Sequence, residues 1–127
     1  MTTSSVSPVT TELAGSETGI TLIIHAGAGS RGKHSTPERI AQVELDLQRA
    51  LDAGYQLLES GAPAHEAVVA AIHVMEDAPE FNAGRGAALT SDGIAQMDAC
   101  LMTGDGEVGA VTGVSTVKNP IDAARAV

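Results

Sequence analysis

The stretch Pro79-Glu80-Phe81-Asn82-Ala83-Gly84-Arg85-Gly86-Ala87 follows directly on a helical pattern and sets three backbone hinges, Asn82, Gly84 and Gly86, around one aromatic residue. Asn and Gly enter left-handed or strained backbone at low cost, so the run reads as a shaped loop with its amides and carbonyls in a fixed array. Phe81 is the only phenylalanine of the chain. It reads as the plug that anchors the loop in the core.

Upstream of the loop, a helix is expected over about Pro63 to Asp77, with Val68, Val69, Ile72 and Met75 turned inward and Pro79 unable to extend it. Before that, Thr36-Pro37 is a helix start, with threonine as cap and proline at the first helical position. Ile40, Val43, Leu47, Ala50, Leu51, Gly54, Leu57 and Leu58 then recur at three- and four-residue steps as one apolar face. Glu44, Asp46, Gln48, Arg49 and Asp52 fall largely elsewhere, and Gly61 closes the helix. Ile20-Thr21-Leu22-Ile23-Ile24 is β-branched and apolar, which predicts a buried strand.

Downstream, Ser91-Asp92-Gly93 and Gly104-Asp105-Gly106 are hairpin signals. Val108 to Val114 predicts a strand, and Asn119-Pro120 opens a helix at Ile121. No internal repeat is read. The order is strand, two helices, several strands, helix. By itself it indicates α+β or layered α/β, with helices stacked on an antiparallel sheet.

The chain has 127 residues, enough for one small domain, but only 2% aromatic residues, so its core must be built from aliphatic side chains. The net charge of −9 argues against nucleic acid or an anionic membrane as partner. A single cysteine, Cys100, allows no internal disulfide and points to the reducing cytoplasm. Lying in the apolar run Met97 to Met102, it reads as a small buried hydrophobe rather than a nucleophile. Residues 1–19, rich in Ser and Thr and without a basic start or an apolar run of signal length, read as a disordered tail.

Four blocks in chain order carry a further likeness: Ile23-Ile24-His25-Ala26-Gly27-Ala28-Gly29, the Pro79 to Ala87 loop, Met97-Asp98-Ala99-Cys100-Leu101-Met102, and Gly109-Ala110-Val111 with Asn119-Pro120. Together they resemble the N-terminal part of the plant-type L-asparaginase and isoaspartyl peptidase family of N-terminal-nucleophile hydrolases. The likeness covers Gly19 to Val127. The run Phe81 to Gly86 sets it apart from the glycosylasparaginase branch. The resemblance implies an α+β fold that is part of a four-layer αββα sandwich, namely a two-helix layer plus part of an antiparallel sheet. Residues 20–127 would then be an incomplete portion of an α subunit.

In that family a precursor cuts itself, and the threonine freed inside a Gly-Thr-Val-Gly-Ala-Val motif is the nucleophile. The motif is absent here. Gly109-Ala110-Val111-Thr112-Gly113-Val114 matches an ordinary core strand of the family, so Thr112 is a decoy and the chain alone is expected to be inactive. The expected partners are a β subunit, two αβ pairs in the complete enzyme, and a small amino acid or dipeptide substrate. A truncated, inactive relative serving as a structural or interaction subunit is the alternative.

The resemblance also assigns site positions. Gly27 and Ala26 lie in the loop that passes the nucleophile, and Ala26 stands where the family usually has glycine, which is expected to slow self-cleavage. Asn82 matches the asparagine that points at the catalytic threonine; its other reading is a side chain bonded to its own loop. The main-chain carbonyls of Met75, Glu76, Ala78, Phe81, Ala83 and Arg85 match a sodium-binding loop; no cofactor is otherwise implied. His25 reads as a packed strand-end residue, and His34, His65 and His73 show no metal-ligand spacing. Asp98 reads as a structural hydrogen-bonding acid. Arg39 and Arg85 read as surface or subunit-contact residues.

Overall fold

The computed structural model describes residues 19–27 and 36–127 of the chain. The tail 1–18 and residues Ala28, Gly29 and His34 lie outside the described residues. The elements are α1 (Pro37–Glu59), α2 (Ala64–Asp77), a 3₁₀ turn (Gly84–Gly86), β1 (Met97–Met102), β2 (Val108–Val114) and α3 (Pro120–Ala126). The chain is α+β, as expected.

Thr36 caps α1 by accepting the Arg39 amide at 3.3 Å, and Pro37 occupies the first turn. The helix stops at Ser60, and Gly61 follows at φ +84, the left-handed conformation that ends a helix. Of the predicted stripe, Ala50, Leu51 and Gly54 are buried, whereas Ile40 is 49% exposed. Asp46 is buried against expectation, and it stays there because Gln42 Nε2 and Arg49 Nη1 both donate to it.

Helix α2 packs on α1 and touches α3, which lies across both strands. Val69 of α2, Leu101 of β1 and Ile121 of α3 form one buried cluster, with Ile72 against it. Each such side chain contributes about 1.5–3 kcal/mol when buried. Val68, expected inside, is 37% exposed. Its place on the inner face is taken by Ala67 and Ala71, whose small side chains leave room for the neighbouring helix.

Strands β1 and β2 pair antiparallel, Leu101 opposite Gly109 and Ala99 opposite Val111 on the side facing α3. A Cβ at Gly109 would strike the Ala124 carbonyl, so the α3 backbone rests directly on that strand. Met102 opposite Val108, and Cys100 opposite Ala110, form the other face. That face is open: Met102 is 67% and Val108 57% exposed, and Cys100 is exposed rather than buried as expected. Alternation along a strand puts residue 100 opposite to 99 and 101, and the single helix layer covers only the latter.

Residues 20–24 make no ladder. Leu22 alone is buried, lying on Gly54 of α1, while Ile23 is 63% exposed. A strand is completed by a neighbour's backbone, and no described segment pairs its backbone with this one. His25, expected to be packed, is exposed. Among the described residues no helix is long and apolar enough to cross a membrane.

A row of polar links ties α3, and the two residues before it, to α2. Glu66 pairs with Arg125, His73 with Asp122 at 2.8 Å, Glu76 Oε1 accepts the Ile121 amide at 3.1 Å, and Asp77 accepts Lys118 at 2.9 Å. Asn119 Nδ2 adds a longer contact to Asp77 at 3.4 Å.

Candidate functional site

The last turn of α2 carries Glu76 and Asp77 and no basic residue, so two carboxylates sit where the helix already ends in unpaired carbonyls. Lys118 offsets part of this from across the chain, and its hydrogen bond, followed by that of Asn119, holds the Asp77 carboxyl below the usual carboxylate range. Glu76 is different: it is only 4% exposed, its Oε1 takes the Ile121 amide, and its Oε2 has no partner among the described residues. Burial pushes its carboxyl up, against the Asn119 side chain and then the Ile121 hydrogen bond.

Beyond Asp77 the chain curls back onto this end of the helix. Gly84, at φ +49, lies so close that a Cβ there would meet the Glu76 Cβ at 2.7 Å and press on the Glu76 carbonyl. A Cβ at Gly86 would strike the Phe81 carbonyl and come within 2.7 Å of that of Pro79. Only glycine permits the curl at these two positions. Phe81 is buried as the plug, 6% exposed, and Arg39 Nε bonds Glu80 at 2.5 Å, pinning the loop to the start of α1.

Asn82 Oδ1 accepts the Ala88 amide at 2.7 Å. The side chain thus bonds its own loop, and this bond fixes the direction of its free NH₂ group. Met75, Glu76, Ala78, Phe81, Ala83 and Arg85, the six expected carbonyl donors, all belong to the helix end and its curl. The Glu76 and Phe81 carbonyls press on the inside of the curl, where no Cβ intrudes, while the Ala83 carbonyl already accepts the Gly86 amide at 3.0 Å. Main-chain carbonyl oxygens are the type of donor that a hard cation takes. Among the described residues no group of three or more His, Cys, Asp or Glu side chains could hold a metal.

Two cavities meet at Glu76. The larger, about 510 Å³, runs past Asp77, Arg85, Met97 and Lys118. The smaller, about 230 Å³, is bounded by Asn82, Gln96, Asp98 and Pro120. Asp98 stands where β2 carries one extra residue between the Met97–Val114 and Ala99–Val111 pairs. Its Oδ1 accepts both the Thr112 hydroxyl and the Gly113 amide at 2.8 Å. Thr112 is therefore a sheet residue with its hydroxyl engaged.

Gly27 adopts φ +123 beside the half-buried Ala26, at the end of the described segment 19–27. Sequence reasoning missed the side chain of Glu76 and the lining role of Gln96 and Asp98. For Glu76 the signal was present, since Val69, Ile72 and Glu76 fall at i, i+3 and i+7, one stripe of a helix.

Residues 18–127 match the sequence model of a family described as asparaginase. The chain is 47% identical over 109 residues to a plant-type L-asparaginase of Pyrococcus abyssi, covering 85% of this chain and 34% of that protein. It is 40% identical over 109 residues to the isoaspartyl peptidase of Escherichia coli, covering 84% and 34%. To an isoaspartyl peptidase/L-asparaginase of Bos taurus it is 40% identical over 107 residues, again 84% and 34%. The chain thus spans about a third of the length of these relatives.

Proposed function

Since the chain belongs to the asparaginase family, whose members have the N-terminal-nucleophile hydrolase fold, we propose that it forms the N-terminal portion of a hydrolase acting on L-asparagine or on β-aspartyl (isoaspartyl) peptides. The nucleophile in this reading is an N-terminal threonine outside these 127 residues, on a β subunit freed by self-cleavage of a common precursor. Its amino group takes the hydroxyl proton, and the oxygen attacks the side-chain carbonyl carbon. Hydrogen-bond donors hold the oxyanion. Loss of the amine breaks the C–N bond, and water then hydrolyses the acyl-enzyme.

This chain supplies a wall of the site. Asn82, held at Oδ1 by the Ala88 amide, keeps its NH₂ group in one orientation toward the reacting threonine. That anchored amide is the observation that carries the reading, because a rigid donor stabilises developing charge without reorganising. A sodium ion in the loop of Met75, Glu76, Ala78, Phe81, Ala83 and Arg85 would supply a fixed positive charge that stiffens the support of Asn82. Ala26, with its Cβ beside Gly27, slows the self-cleavage step. Two αβ pairs assemble, and the compartment is the reducing cytoplasm, which suits the free, exposed Cys100.

The test is the intact mass of the protein from its natural source, with any co-purifying chain, alongside ammonia release from L-asparagine and cleavage of β-aspartyl dipeptides. A second chain beginning with threonine, together with turnover, is the expected result. A lone species without turnover would replace this reading with an inactive structural subunit, which the open face at Met102 and Val108 would suit.

A further inference from the structure

Two hairpin turns of this chain match bond for bond. In Thr90-Ser91-Asp92-Gly93-Ile94 and in Thr103-Gly104-Asp105-Gly106-Glu107 an exposed aspartate precedes an exposed glycine. Gly93 stands at φ +76 and Gly106 at φ +86. The Gly93 amide donates to the Thr90 carbonyl at 3.0 Å, and the Gly106 amide to that of Thr103 at 3.1 Å. The Thr90 hydroxyl accepts the Ile94 amide at 3.3 Å, and that of Thr103 the Glu107 amide at 3.2 Å. Outside the adjacent residues, nothing lies within 4 Å of where a Cβ would stand on either glycine. What differs is the footing of the two turns. The second joins β1 to β2, whose pairing continues from Met102–Val108 through Leu101–Gly109, with the α3 backbone resting on Gly109. The first is closed by the single bridge Leu89–Ala95, and its flanks are open, Leu89 66% and Ile94 50% exposed.

We propose that Asp92–Gly93 is a modification site, at which the aspartate isomerises spontaneously, and that Asp105–Gly106 is held against the same reaction by its ladder. The Gly93 amide nitrogen attacks the carboxyl carbon Cγ of Asp92. An N–Cγ bond forms, the C–OH bond breaks, and the hydroxyl and the amide proton leave together as water. Water then opens the five-membered succinimide ring. Addition at Cγ restores aspartate; addition at the main-chain carbonyl carbon breaks its bond to the Gly93 nitrogen and leaves the chain running through Cβ and Cγ, an isoaspartyl link. Water is the only co-reactant. Glycine after the aspartate leaves the attacking nitrogen unshielded by a side chain and free to turn. Attack requires the Gly93 amide to leave the Thr90 carbonyl, so the rate follows how often the turn opens. A turn footed on one bridge opens more readily than one that continues into a ladder under a helix. The product adds one carbon to the main chain on the connection from the Asn82 loop to β1. The proposal stands whether or not the chain takes part in hydrolysis.

The test is to age the protein in buffer and in urea, then unfold it and digest it with a protease that cuts before aspartate but not before isoaspartate. Mass spectrometry reads the cut lost before residue 92 against that lost before residue 105. In the folded protein the loss at Asp92 is expected to run about tenfold ahead, the fold-change that one further hydrogen bond to be broken carries. In urea the two sites are expected to age alike, because a glycine follows both. Thr90→Val removes the hydroxyl that holds the Ile94 amide, and about threefold faster loss at Asp92, with none gained at Asp105, is expected. Equal loss at the two sites of the folded protein, faster loss at Asp105, or a bias that persists in urea would overturn the proposal. So would a Thr90→Val chain whose Asp92 ages no faster.

Discussion

Asp98 reaches across the β1–β2 ladder to Gly113 and closes the bulge there with a 2.8 Å bond to its amide. Gly113 sits at φ +65, so the extra residue is taken up in a left-handed step that a side chain would strain. The Gly113 amide, and then the Thr112 hydroxyl, hold the Asp98 carboxyl below the usual carboxylate range. A depressed folded value means that its contribution is present above the unfolded value of about 3.9 and is lost as pH falls through the folded one. Below about pH 4 the Gly113 amide is expected to exchange faster and shift in NMR spectra. An Asp98→Ala chain that titrates in the same way would sink this assignment.

Glu76→Ala removes the acceptor of the Ile121 amide and leaves a void, and a loss of about 2–4 kcal/mol is expected by chemical denaturation. Glu76→Gln keeps an acceptor and carries no charge. Burial raises the folded value of Glu76, so the favourable protonated state is fully present below about pH 4.3 and lost as pH rises through the folded value. At pH 8 the Gln variant is therefore expected to match or exceed the parent in stability, and at pH 4 to fall below it. A constant difference across pH contradicts this.

Gly86→Ala forces a Cβ into the Phe81 and Pro79 carbonyls, which are backbone and cannot swing away. A cost of about 2 kcal/mol or more is expected, along with greater exposure of Phe81. Proteolysis at the loop reads the second effect directly. Unchanged cleavage would mean that the curl tolerates widening.

Arg39→Ala breaks the 2.5 Å bond to Glu80 on a half-buried surface. About 0.2–1 kcal/mol is at stake, and the difference from the parent shrinks with added salt. A loss that does not change with salt would point to lost packing of the arginine stem.

Asn82→Ala frees the Ala88 amide on an exposed loop, so stability changes by less than about 1 kcal/mol. In the hydrolase proposed above, the rate is expected to fall about 10²-fold, as for a lost oxyanion-type donor. A sharply lower melting temperature with unchanged activity per folded molecule would reverse the assignment of roles.

Helix starts and stops were legible because their signals are local: Thr36-Pro37 caps and opens α1, Gly61 follows its end, and Val108–Val114 forms β2 over its predicted span. The Phe81 plug was legible for the same reason. What escaped depends on neighbours far along the chain. Cys100 is exposed because only one sheet face is covered, and Ile20 to Ile24 lacks a ladder because pairing takes a second strand. Asp46 and Glu76 are buried through hydrogen bonds that polarity alone does not announce. A small recurrence was also passed over. Thr90 and Thr103 begin turns of the form Thr-x-Asp-Gly-x, and each donates one hydrogen bond through its amide and accepts two, at its carbonyl and its hydroxyl, within its own hairpin. Asn82 was half legible, since its loop bond is seen while the catalytic role proposed for it is not.

Helix α3 has seven residues, too few to persist in water by itself. Its residues 125, 122 and 121, followed by Lys118 just before it, descend while their partners on α2 ascend as 66, 73, 76 and 77, so sliding it by one residue unseats every link at once. It therefore has one seat or none. Amide exchange in α3 serves as a tell-tale for the far end of α2: protection there vanishes in step with the integrity of the helix it is keyed to, well before the rest of the chain comes apart.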